Sequence, residues 1–147
     1  MDDPAFRRLL LEENADLYLG YKFFDVARWD RKRWSIGYGT PSYEGEVVCE
    51  PLARQRAWVK FHEAKIQAAR LLSPLAWQRL SEERKGVLFR MVYQLGYEGV
   101  KSFRKMLSAL EEGDYGRAAD EMLNSKWARE DSPLRAMREA TIMRNGT

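Results

Sequence analysis

"RWDRKRWSIGYGT", residues 28–40, is the stretch on which the fold turns. Four cations and two tryptophans surround one aspartate, Asp30, and a serine then leads into a strand with glycines two apart. The alternation in RWSIGYG predicts a strand, and the charged WDRKR before it predicts a turn. Upstream, in LYLGYKFFDV, Leu17, Leu19, Tyr21 and Phe23 alternate, which predicts the outgoing strand. Residues 15–39 are the only convincing β region of the chain. Asp30 has two readings there: a charge-balancing acid on a surface hairpin, or one half of a catalytic pair.

Everything around this hairpin reads as helix. Phe6, Leu9, Leu10 and Glu13 have the spacing of a short first helix over 4–13, with Asn14 suited to a left-handed stop. A long helix is expected from Glu50 and Pro51 to about residue 73, since proline is at home in a first turn. Trp58, Phe61, Ile66, Ala69 and Leu72 are its expected apolar stripe. Ser81 caps a helix through SEERKGVLFRMVYQLG, with Glu82 and Glu83 in its first turn and Gly96 as its stop. VKSFRKMLSALEEG predicts a helix that ends at Gly113. Asp114 opens DYGRAADEMLNSKW, and Ser132-Pro133 opens SPLRAMREATIMR. The expected fold class is therefore α+β, mostly α. A β-hairpin lobe over about 14–48 is joined by a helix over about 50–73 to a helical lobe over about 74–147, packed with helix 4–13. All of it forms a single domain of residues 1–147, and a cleft between unequal lobes is a common place for a ligand site.

Composition narrows the chemistry. Charged residues make up 32% and apolar ones 45% of 147 residues, with a formal charge of +3, as expected of an ordinary globular chain. Cys49 is the only cysteine, which rules out an intrachain disulfide and a cysteine zinc site; His62 is the only histidine, which makes a Ser-His-Asp triad a poor fit. No run approaches the roughly 18 apolar residues of a membrane span, and MDDPAFRRLLLEEN lacks the basic start and apolar middle of a signal peptide. The expected place of synthesis is the cytoplasm, with no stable membrane insertion. With no metal cluster and no glycine-rich phosphate loop, carboxylates remain. Glycosidic bond cleavage needs two of them, one protonated to donate to the leaving oxygen and one ionised on the opposite face. Glu13 ends the first helix, and Asp30 or Asp25 lies in the hairpin that follows. Five tryptophans and seven tyrosines offer flat faces for sugar rings, although Trp58 and Trp127 sit in helical patterns that suit the core.

In three places the chain resembles the phage-type lysozymes, the muramidases with which phages cut peptidoglycan. FRRLLLEEN resembles the family's first helix, which puts Glu13 in the place of the catalytic glutamate and Asn14 in that of the stop. WDRKRWSIGYGT is similar to the family's hairpin signature, an aspartate followed shortly by Thr or Ser and then I-G-x-G. That makes Asp30 the second carboxylate and Ser35 the hydroxyl that helps hold the water. RMVYQLGYEGVKSFRKML together with NSKWAREDSPLRAMR is similar to the C-terminal lobe. The resemblance further implies substrate-binding roles for Gly39, Tyr93, Gln94, Leu95, Trp127 and Arg135, the last as partner of the catalytic glutamate.

One departure stands out: Glu13 and Asp30 are seventeen residues apart, farther than in the family. The extra residues supply Asp25 as an alternative to Asp30. The short step from Asp30 to the glycine strand favours Asp30, because a catalytic pair tolerates little misplacement. The resemblance implies hydrolysis of the β-1,4 bond between N-acetylmuramic acid and N-acetylglucosamine, with inversion and without a cofactor or metal. The expected partner is bacterial peptidoglycan, reached in the periplasm from the host cytoplasm through a separate pore, by a monomer that binds no nucleic acid. Two rivals compete with this reading: an inactive sugar-binding or virion structural protein of the same fold, and a helical nucleic-acid-binding protein. The second is disfavoured because the cations are interspersed with acids.

Overall fold

Asp3 starts the first helix. Its carboxylate accepts from the amides of Ala5 and Phe6, and Pro4 stands in the first turn, where a missing N–H costs nothing. The computed structural model describes residues 1–147, and the chain divides into two units, Met1–Glu63 and Ala64–Thr147. The expected α+β class, mostly α, holds. The long helix is continuous across the boundary, so the division falls inside it at Glu63, and the first helix belongs to the first unit.

The first unit opens with α1 (Pro4–Glu13) and α2 (Ala15–Tyr18). Five short strands follow: β1 (Phe24–Val26), β2 (Arg28–Asp30), β3 (Arg33–Ile36), β4 (Thr40–Pro41) and β5 (Val47–Cys49). They form two antiparallel sheets, β1 with β5, and β2, β3 and β4 in that order. The hairpin expected around WDRKR is present but tighter. Asp30 pairs with Arg33, so only Arg31 and Lys32 remain for the tip, both at positive φ.

Two expectations fail here for physical reasons. Asn14 is not left-handed: at φ −159° it is extended, and it ends α1 by starting α2, its side chain accepting from the amide of Leu17. The alternation from Leu17 to Phe23 does not make a strand. The Asn14 cap commits Ala15–Tyr18 to helix, Gly20 turns the chain at φ +83°, and Leu17 alone of the four is buried. A period of two in sequence forms a strand only where a neighbour can pair with it, and pairing begins at Phe24, opposite Cys49.

The long helix α3 (Glu50–Ala68) ends short of the expected residue 73 and keeps part of the expected stripe: Phe61 and, beyond the helix, Leu72 are buried and Trp58 is half-buried, but alanines supply the rest. Ala53, Ala57, Phe61, Ala64 and Ala68 point inward, whereas Ile66 and Ala69 are exposed. Alanine presents only a methyl group, so the surrounding chain can close on the helix. Gly37 shows how closely: a Cβ built on it would stand 2.7 Å from the Ala53 Cβ. Phe6 of α1 packs its ring edge-on to Trp58 and against Phe61.

The second unit holds the rest of α3 and α4 (Pro74–Arg79), α5 (Glu82–Leu95), α6 (Tyr97–Lys101), α7 (Arg104–Glu111), α8 (Tyr115–Leu123) and α9 (Pro133–Asn145). Its caps follow the sequence. Ser81 accepts from Arg84, Asp114 from Arg117, and Gly96 and Gly146 close α5 and α9 at positive φ. Helix α5 is buried on nearly every side from Gly86 to Tyr93, which takes in Val87, Leu88, Met91 and Val92 of the expected stripe and more besides, whereas Leu95 is only half-buried. Burying it includes burying a charge: Arg90 forms a two-point ion pair with Glu139 of α9 at 2.8 and 3.0 Å.

The single helix expected from Val100 to Gly113 is broken between α6 and α7. The Ser102 hydroxyl bonds back to the Gly99 carbonyl, competing with the helical ladder, and Phe103 leaves helical geometry. Likewise α8 stops at Leu123, and Trp127–Asp131 form one π turn.

Gly37 joins a positive φ of +64° to its contact with Ala53. Gly37→Ala therefore adds both left-handed strain and overpacking, together about 2–5 kcal/mol. We expect its thermal midpoint to fall by roughly 5–15 °C, measured by circular dichroism, against a smaller fall for Gly45→Ala, which carries the left-handed strain alone because nothing stands within 4 Å of its added Cβ.

Candidate active site

The peptide group of Gly37 joins the acid-bearing segments of the first unit. Its N–H donates to Asp25 Oδ2 at 2.7 Å, and its carbonyl accepts from Asn14 Nδ2 at 3.0 Å. Asn14 directly follows Glu13, so the end of α1 and the start of the sheet are bonded to one peptide. Asp25 is 3% exposed. Besides Gly37 it takes hydrogen bonds from Lys22 Nζ at 3.0 Å and from Arg28 Nη1 at 3.0 and 3.1 Å. Burial pushes its pKa up, but the bonds from Lys22 and Gly37 and the charges of Arg28 and Lys22 outweigh burial and hold the carboxyl below its ordinary range. Asp25 is thus an ionised group with its lone pairs taken.

Asp30 is placed differently. Its side chain is 78% exposed at the hairpin end, with Arg31 Nε 3.9 Å away. Across the hairpin Arg28 faces Ser35 and Asp30 faces Arg33, while Trp29 and Trp34 pair between them with ring centroids 5.5 Å apart. Directly opposed residues share a side of a sheet, and side chains alternate along each strand. Asp30 and Ser35 therefore lie on one face and the two tryptophans on the other. Gly39 follows at φ +81°, its carbonyl accepting from Lys60 Nζ at 2.9 Å. Between them Tyr38 is fully buried and donates to Glu50 Oε2 at 3.0 Å. Burial and the Glu50 carboxylate push the Tyr38 hydroxyl well above the usual phenol range, so it stays a donor.

The last turn of α1 carries two glutamates. Glu13 is half-buried. Glu12 was passed over in the sequence, yet its side chain is only 3% exposed, with Arg8 Nη1 3.9 Å away one turn back. The doublet Glu12-Glu13 was the available signal. Leu9 and Leu10 are both buried, so the inward face of α1 is wide enough to take in either glutamate.

In the second unit the expected binding residues fall into two groups. Leu95 and Trp127 line a cavity of about 560 Å³, with Phe103, Met106, Lys126 and Asp131 among its other walls. Gln94 sits behind it and fixes Trp127: the indole Nε1 donates to Gln94 Oε1 at 3.0 Å, and Gln94 Nε2 donates to Ser132 Oγ at 2.9 Å. The π turn makes this possible, because the Ser132 amide bonds to the Trp127 carbonyl five residues back at 2.8 Å. Phe103 meets Trp127 edge-on at 6.2 Å. Tyr93 is buried in the core and borders no part of this cavity, and Arg135 is half-buried in the first turn of α9. The walls combine aromatic faces with Arg104, Lys105 and Lys126 against Glu121 and Asp131, a lining suited to a polar ligand with apolar edges. No three His, Cys, Asp or Glu side chains cluster closely enough to hold a metal ion. His62 is exposed and stacks edge-on to Trp58 at 4.2 Å.

No family model matches the chain. Two curated proteins of Dictyostelium discoideum are similar to it: probable T4-type lysozyme 2 at 35% identity and probable T4-type lysozyme 1 at 34%, each over 71 residues. The aligned stretch takes in 48% of this chain and 41% of each relative, so it spans less than half of either.

The Asp25 cluster has a pH signature. Its carboxyl is held below the ordinary value of 3.8, so its contribution to stability is complete above that value and is lost as pH falls through the lower folded value. We expect Asp25→Asn to be less stable than wild type at neutral pH, with the gap in urea midpoint closing only below about pH 4. A gap that stays constant down to pH 2 would contradict the assignment.

Proposed function

From the phage-type lysozyme family that these relatives support, we propose that the protein is a peptidoglycan hydrolase, a muramidase cleaving the β-1,4 bond between N-acetylmuramic acid and N-acetylglucosamine. The observation that carries this reading is the Gly37 peptide, bonded to Asn14 beside the glutamates of α1 and directly following β3, the strand that pairs with the strand of Asp30. Two acid-bearing segments remote in sequence are thereby fixed in one frame, and glycoside hydrolysis by carboxylates requires that.

The roles divide by environment. The α1 glutamate protonates the leaving oxygen. Asp30, exposed and on one face with Ser35, accepts the proton of a water that attacks the far side of the sugar, giving inversion. Asp25 is engaged by three donor groups and acts as a positioning residue for the glycine strand. Within the second unit the cavity beside Trp127 is a separate candidate for binding sugar, with Gln94 holding the indole in place. Bacterial peptidoglycan is the partner, and cell lysis the outcome once the enzyme reaches the wall.

For the acid itself, Glu13 is the residue that the register of α1 against the family selects. A second reading, Glu12, is favoured by its burial, since a general acid works best from a site shielded from water. Turbidity loss of permeabilised Gram-negative cells separates the two. We expect Gln at the acid position to lower the rate roughly a hundredfold to ten-thousandfold, and Gln at its neighbour to lower it less than tenfold. Asp30→Asn should lose activity with an unchanged melting temperature, whereas Asp25→Asn should lose both. Full activity in Glu12→Gln and Glu13→Gln alike would exclude an α1 glutamate as the acid, and no turbidity loss with folded wild type would exclude the hydrolase and leave a binding protein.

A further inference from the structure

The β1–β5 sheet leaves one face uncovered. Along β1 the residues alternate outward and inward, Phe24 and Val26 outward and Asp25 inward; Val47 of β5, directly opposite Val26, is outward as well. Phe24, Val26 and Val47 are 60%, 55% and 56% exposed. The exposed ring of Phe23 stands edge-on to Phe24 at 5.0 Å and extends the face, and Tyr21 is more exposed still. None of the three sheet side chains carries a polar atom. Isolated exposed apolar residues are ordinary, but a contiguous set on a two-stranded sheet marks a contact surface.

Charge says what kind of surface it meets. Residues 19–34 hold five cations against two acids, so this stretch accounts for the whole +3 of the chain, and the remaining residues sum to neutrality. Arg28 and Lys22 are engaged with the buried Asp25, so the cations left to meet a partner are those of the hairpin. The hairpin that follows ends in Arg31, Lys32 and Arg33, all exposed, against one exposed acid. Trp29, exposed on that hairpin, adds an amphipathic ring. An apolar face flanked in the chain by exposed Tyr, Trp and cations is the composition that seats at a bilayer interface, with hydrocarbon taking the apolar side chains and anionic headgroups the cations. A glycan offers hydroxyl groups, which valine and phenylalanine cannot bond.

We propose that the β1–β5 face with its basic hairpin docks the protein peripherally on an anionic lipid bilayer. No helix is long and apolar enough to cross a membrane, so this is surface attachment by side chains. It does not depend on the muramidase reading, because Phe24, Val26 and Lys32 take no part in the proposed chemistry.

Co-sedimentation of the full chain with vesicles tests it, using phosphatidylcholine alone and phosphatidylcholine with one quarter phosphatidylglycerol. Wild type should pellet with the anionic vesicles and not with the neutral ones, and high salt should release it. The double variant Phe24→Ser/Val26→Ser and the single variant Lys32→Glu should each weaken the partition roughly tenfold or more. Both should keep wild-type activity on purified peptidoglycan. Lys32→Glu provides the test should the double variant fold poorly. Three results would overturn the proposal: no pelleting with anionic vesicles; equal pelleting of wild type and both variants; or a wild-type dimer in sedimentation velocity that the serine variant dissolves, which would assign the face to a second copy.

Discussion

One glycine peptide, that of Gly37, holds the first unit in register. Its carbonyl bonds to Asn14 at the end of α1, its N–H to Asp25 of β1, and its missing side chain leaves room for Ala53 of α3. At φ +64° the residue also turns the chain out of β3. Any side chain there must displace the helix or leave the left-handed region, and either change breaks both hydrogen bonds. The alanine stripe of α3 is the other half of the same constraint, because only a small residue at 53 lets the strand come so close. Asp25 completes it as a buried anion compensated by Lys22, Arg28 and the Gly37 amide.

The second unit is organised around fixed polar contacts inside an apolar interior. Arg90 and Glu139 tie α5 to α9 with neither charge exposed. Such pairs add little over a hydrophobic alternative but penalise every misregistered packing, since an unmatched partner would be left buried. Gln94 does the same for Trp127, using both ends of its amide. The π turn supplies the extra residue that lets the indole face Gln94 while Ser132 remains in reach, a use of π geometry common near functional sites.

How much of this was legible depended on whether the determinant was local. Caps and breakers were: Ser81, Asp114, Pro51, Gly96 and the turn in WDRKR act within four residues and were read correctly. Features set by a distant partner were not. Nothing near Leu19 says that no strand will pair with it, and nothing near Ile66 says that the alanines beside it face inward. Two local determinants escaped as well, because one side chain can cap in more than one way: Asn14 starts a second helix through the Leu17 amide, and the Ser102 hydroxyl bonds back to Gly99. For the site, the hairpin match to the phage-type lysozymes put Asp30 with Ser35, and the pairing register sets them on one face. Asp25 was weighed as the alternative acid, yet its three donors give it a structural task that spacing does not reveal. Glu12 was missed because register against the family counts residues, whereas burial depends on how far α1 rotates.

The bond that is cut carries the central claim, and the new chain ends report it directly. Purified peptidoglycan digested by the protein, then reduced with borohydride and analysed for the reduced sugar, should gain N-acetylmuramitol, with the α anomer formed first when the reaction is followed by proton resonance before reduction. Appearance of reduced N-acetylglucosamine instead, or no new reducing ends at all while the protein remains folded, would contradict the account.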